Sequence, residues 1–269
     1  RKHQFAPEDV FGFCWSKLVL SGLILDHVTG TQLKNVGSQS ADLYKEATAH
    51  HQKLREFVDV ETYKPTLYVG SCRSDAANVV VRTAQTMEAI VDVRRLLDCG
   101  SLLHELYPAI VNDLTRMVST RSDAVASAYC LYVAASMYYS RALAELLHHV
   151  ESRNQDCANP YFLALMCMIY RLISKDTPGQ SAQAVAYGQR LAALQEDSGL
   201  IGSSSSSVVA RDMQPLSQAD INLENVAVAV QCWCQVGLDR FGVHARKGVE
   251  YMLSGALDAS CNPAVIAIS

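Results

Sequence analysis

Residues 75–97 read DAANVVVRTAQTMEAIVDVRRLL. Asn78, Arg82, Gln85, Glu88, Asp92 and Arg95 recur every three or four positions, so on a helix they form one narrow polar stripe. The rest of the circumference is small or apolar, carried by Ala77, Val80, Val81, Ala84, Met87, Ala89, Ile90 and Val91. A helix on the outside of a protein normally shows an apolar face of only about 100°. The stretch is therefore expected to be a central helix, covered on most sides by other helices.

Working outward, the chain reads as helices and little else. Glu8–His27 carries Phe11, Cys14, Trp15, Leu18 and Leu25, and Gly30 stops it. Ser38–Val58 is amphipathic through Leu43, Ala47, Leu54 and Val58. Pro65 and Gly70 mark a loop between Asp59 and Ser74, in which Thr66–Val69 can run extended. Beyond the central stretch, Gly100 breaks the chain and Ser101 caps a helix to about Val118. Ser122 or Asp123 then caps a long Ala- and Tyr-rich helix to His149.

The C-terminal half repeats the pattern. Asn159-Pro160 is a helix start, a capping residue followed by Pro at the first helical position, and the helix runs to Ser174. The turn Asp176-Thr-Pro-Gly179 leads into a helix over Ser181–Glu196. Gly199, Gly202 and Ser203–Ser207 give a low-complexity, mobile loop spanning about 198–216. Ser217 with Asp220 makes a capping-box-like pair opening a helix to about Phe241, and a shorter helix covers Ala245–Leu257. Helical hairpins of unequal length, with no strand cluster, predict an all-α fold: an elongated, α-solenoid-like stack of antiparallel hairpins in a single domain over residues 1–269.

Composition narrows the function classes. The chain has 269 residues, 49% hydrophobic and 19% charged, ample for a core, and its net charge of −4 argues against a nucleic-acid surface spread over the whole molecule. Nine irregularly spaced cysteines point to free thiols in a reducing, intracellular compartment, the cytoplasm first and the mitochondrion second. The sequence starts without Met, so a piece upstream is expected to have been removed, and no secretory signal is visible. Leu18–Leu25 is too short to span a membrane, and Ala124–Leu147 contains Arg141 and Glu145, so no transmembrane segment is expected.

No familiar catalytic pattern emerges. His50-His51 and His148-His149 are adjacent pairs, and neighbours on a helix diverge by about 100°, so neither pair can chelate one ion. Cys232 and Cys234 lack the spacing and the second pair of a zinc site. Glu88 and Asp92 share their stripe with Arg82 and Arg95, which reads as a charge network rather than a carboxylate pair for catalysis. There is no P-loop, nucleophile elbow or dinucleotide fingerprint. Arg94-Arg95, and Arg240 with His244, Arg246 and Lys247, are small basic spots that read as solvated helix ends. No catalytic residue, cofactor, metal or direct nucleic-acid contact is expected.

Ala84-Gln85-Thr86-Met87-Glu88 resembles the Ala-Gln-Ala-Gln-Glu signature of the Bro domain of Alix, Brox and rhophilins. Tyr187-Gly188-Gln189, with Leu191 and Leu194, is similar to that family's aromatic-Gly-Glu helix start, and Gly237–His244 sits where the family has Asn-Asp-x-Ile-Tyr. The match departs at Val93-Arg94, where the family has Lys-Ala, and at Ala49–Leu54, and covers the C-terminal two-thirds of a family domain. The resemblance implies a non-enzymatic scaffold or adaptor. Its groove would take an amphipathic C-terminal helix of an ESCRT-type subunit, with Ile90, Leu103 and Tyr107 as the flanking apolar residues. Read from the residues alone, these three serve equally well as interhelix packing. The alternative function is a structural subunit of a large assembly, such as an organellar ribonucleoprotein, held by neighbouring subunits.

Overall fold

The computed structural model describes residues 123–137, 141–173, 180–202 and 217–256, together with helical positions at 45, 49, 107, 108, 111, 112 and 114–116. The chain forms two compact units, Arg1–Asp113 and Leu114–Ser269. In the first, Lys45 and Ala49 are exposed helical residues, and Tyr107, Pro108, Val111 and Asn112 belong to the helix expected over Ser101–Val118. The stretch 75–97, the helices over Glu8–His27 and Ser38–Val58, and residues 203–216 of the Ser-rich loop lie outside the described residues.

The second unit is all-α: α1 Ala124–Met137, α2 Arg141–Arg153, α3 Pro160–Ile173, α4 Gln180–Ala192, α5 Gln218–Val236 and α6 Leu238–Tyr251. A π turn over Met252–Ala256 ends the series. Among the described residues there is no strand, only an isolated antiparallel bridge between Gln195 and Ile201.

Three start signals fall among the described residues and do their physical task, while Ser101 and Ser122 lie outside them. Asp123 Oδ1 accepts from the Ala126 amide at 3.0 Å, capping α1. Asn159 Oδ1 accepts from the amides of Tyr161 and Phe162 at 2.9 and 3.2 Å, with Pro160 supplying the preset first turn of α3. At α5 the capping box is complete: the Asp220 amide donates to Ser217 Oγ at 3.1 Å, and the Ser217 amide to Asp220 Oδ2 at 3.2 Å.

Two boundaries differ from expectation. The long helix expected to His149 is helical at Ala124–Met137 and Arg141–Arg153, with 138–140 outside the described residues, and it ends four residues later than expected, at Arg153. The helix expected over Ser217–Phe241 stops at Val236, because Gly237 has φ +148° and ψ 121°, and α6 starts at once with Leu238. Only glycine visits that conformation readily, so the break belongs there rather than between Phe241 and Ala245.

Helix α3 is the centre. It packs against α1, α4 and α5, and every residue from Pro160 to Tyr170 is buried. Phe162, Met166, Cys167 and Ile169 are wholly inaccessible. Full burial of one such large side chain stabilises the fold by about 1.5–3 kcal/mol. α3 and α4 form one antiparallel pair, tied where Cys167 Sγ donates to the Ala184 carbonyl at 3.0 Å. α5 and α6 form a second, with Gly248 of α6 lying against Val226 and Val230 of α5. Trp233, also inaccessible, joins the two pairs by donating Nε1–H to the Gly188 carbonyl at 3.3 Å.

Candidate functional site

Where α2, α3 and α4 meet, Glu151 gathers two tyrosines. Tyr170 donates to Oε2 at 2.6 Å and Tyr187 to Oε1 at 3.0 Å, while their rings stack at 5.8 Å with 15° between planes. The Arg190 guanidinium lies 5.3 Å from the Tyr187 ring centre and donates to the Gln155 and Cys157 carbonyls at 2.9 and 3.0 Å. Burial first, then the Glu151 carboxylate, pushes the Tyr187 phenol far above its ordinary value. That hydroxyl is therefore a fixed donor at any ordinary pH. The group is a clamp that fastens the loop after α2 to the α3–α4 pair.

A second buried group is a thiol chain. Cys232 of α5 lies beside Cys167 of α3, and Cys167 donates to the Ala184 carbonyl. Burial and then the neighbouring Cys167 push the Cys232 thiol well up, so it holds its proton and packs as a small apolar group. Asn225 of α5 is buried as well, and its Nδ2 finds no acceptor among the described residues.

Helix α6 differs from both. Its inner face is Phe241, Ala245 and Gly248, continued by Met252, all buried. Two glycines on the opposing elements allow the close approach. A Cβ on Gly188 would lie 2.9 Å from the Phe241 ring, and one on Gly199 only 2.1 Å from the Lys247 carbonyl oxygen. Gly199 also has φ +89°. Gln195 grips the helix from the same turn: Nε2 donates to the carbonyls of His244 at 3.0 Å and Gly199 at 3.4 Å, leaving Oε1 against His244 Nδ1 at 2.8 Å. With the amide nitrogen committed to carbonyls, Oε1 is the acceptor and the imidazole Nδ1–H donates. The Lys247–Asp197 pair at 3.0 Å is exposed and adds little.

Four large apolar side chains of α6 and the turn after it stand open. Leu238 is 57% exposed, Val243 69%, Val249 37% and Leu253 76%, and these are the exposed large apolar side chains among the described residues. Leu238, Gly242 and Val249 fall within about 40° of one another around the helix. Leu253 follows four residues after Val249, in the π turn. A Cβ on Gly242 would meet only Leu238 Cβ, at 3.9 Å, so the stripe has a notch between its first and second large side chains. Asp239, Arg246 and Glu250 run along one side of that stripe, between it and Val243, which lies about 140° round from Leu238, and they make no ion pair or side-chain hydrogen bond among the described residues.

Of the residues expected from sequence to line a groove, Ile90 and Leu103 lie outside the described residues, and Tyr107 is helical and half-buried. His148 and His149 diverge on α2, ring centres 6.3 Å apart and planes at 79°, with His149 Nδ1 against the Glu145 carbonyl at 3.0 Å. No group of three or more His, Cys, Asp or Glu side chains is placed to hold a metal among the described residues. No helix there is long and apolar enough to cross a membrane.

No family model matches the chain, and no curated protein or solved structure is significantly similar to it. The α6 face was missed in the sequence because Gly237 and Gly242 split its reading. Once the break is placed at Gly237, Leu238, Gly242 and Val249 fall on one side.

Proposed function

We propose that this chain is a non-enzymatic helical scaffold or adaptor whose partner-binding surface includes the outer face of α6. One observation carries the reading: the four exposed large apolar side chains among the described residues all lie on α6 and the turn that follows it, beside charged groups that make no ion pair among those residues. Clustering of apolar side chains on one element, with a polar rim, is the composition of a protein-contact patch. The α3–α4 and α5–α6 pairs support a stack of antiparallel hairpins as the framework that holds the face rigid. The Bro-domain resemblance, carried by Ala84–Glu88 and Tyr187–Gln189, supplies the second proposed surface, at Ile90, Leu103 and Tyr107, for an amphipathic helix of an ESCRT-type subunit.

The test is capture of tagged protein from lysate, followed by reconstitution of the captured protein with the purified chain in a binding titration. Leu238→Asp with Val243→Asp is expected to weaken that binding at least tenfold, as the loss of central apolar anchors does. Ile90→Asp with Leu103→Asp reads the second surface separately. Binding unchanged by either pair overturns the scaffold reading at both.

A further inference from the structure

The α6 face has the symmetry of a surface that pairs with itself. Resting on the reading of α6 as a protein-contact surface, we propose that its occupant is a second copy of this chain, with the two α6 helices packed antiparallel about a twofold axis level with Gly248. In such a pair, positions symmetric about 248 come opposite one another, and the same edge of each helix meets its counterpart. Arg246 then faces Glu250 of the second copy, and Glu250 faces its Arg246, so two charges that make no ion pair among the described residues form two equivalent ones across the axis. Leu253 of the second copy stands nearly level with Gly242, whose missing side chain leaves a recess for it. Val249 lies beside the axis and meets its own equivalent.

The charge order decides the orientation. Along the edge the signs run negative, positive, negative at Asp239, Arg246 and Glu250. A parallel pair in register would set each charge against its own kind, which is destabilising, whereas the antiparallel pair centred at 248 sets Arg246 against Glu250 twice. A single helix face is a small interface, so association is reversible and concentration-dependent.

Sedimentation velocity on the purified chain, over a series reaching about 1 mM, tests this directly. Wild-type protein is expected to move from monomer to dimer, Leu253→Asp to stay monomeric, and Arg246→Glu to weaken the dimer about tenfold. The charge swap Arg246→Glu with Glu250→Arg is expected to restore it. All these positions are outside the buried face, and circular dichroism verifies that each variant is folded. Wild-type protein that stays monomeric throughout, a dimer indifferent to Leu253→Asp, or a charge swap that fails to restore association each overturns the proposal. The scaffold reading is judged separately by the capture experiment: a monomeric chain that still binds a different protein through Leu238 and Val243 leaves that reading standing and removes only this one.

Discussion

Helices α3 and α6 are both 14 residues long, yet they solve opposite problems. α3 is free of charge from Pro160 to Tyr170, and the chain provides α1, α4 and α5 to cover it. α6 carries Asp239, Arg240, Arg246, Lys247 and Glu250, buries one face, and leaves large apolar groups open on another. The difference is one of cover. The apolar surface of α3 is satisfied internally, while that of α6 exceeds what α5 and the Gln195–Ile201 turn can cover.

Three substitutions sharpen this contrast. Phe162→Ala, at the buried centre of α3, should have the largest effect, about 3–5 kcal/mol by urea unfolding, because a wholly enclosed ring leaves a cavity. A loss under about 1 kcal/mol would show that α3 is less tightly enclosed than its burial implies. Gly199→Ala acts on the other helix: its Cβ would collide with the Lys247 carbonyl oxygen and the residue would keep a positive φ. Roughly 2–3 kcal/mol should be lost, as overpacking and left-handed backbone strain together require. The local signature is faster hydrogen exchange in α6 than in α3, and equal acceleration in both would show that α6 does not open separately.

The smallest effect concerns the clamp at the α3–α4 pair. Tyr187 has a folded-state pKa above its unfolded value, so its contribution is fully present below the unfolded value, near pH 10, and is lost as pH rises further. Tyr187 should therefore add one proton to the fall of stability on the alkaline side of about pH 10, and Tyr187→Phe should make that slope shallower by this one proton. Identical alkaline profiles for the two proteins would show that the clamp leaves the phenol in an ordinary environment.

Much of the second unit was legible in its sequence, and for identifiable reasons. Asp123, Asn159-Pro160 and Ser217 with Asp220 act within a few residues of themselves, so local chemistry marks helix starts whatever the surroundings. The all-α class followed from the same periodicity. Gly237 was harder, since Gly237 and Gly242 both interrupt the α6 pattern and only the observed φ distinguishes a break from a packing site. The roles of Glu151, Gln195 and the Cys167–Cys232 contact were illegible because they join positions dozens of residues apart. The expected groove residues Ile90 and Leu103 rest on family resemblance, whereas the α6 face is visible only when exposure is known.

The joint at Gly237 has a consequence for how this unit assembles. With one residue between α5 and α6, bringing the two helices together costs almost no loop-closure entropy, and their contacts are close in sequence. The hairpin is thus a pairing of low loop cost and low contact order within the C-terminal unit.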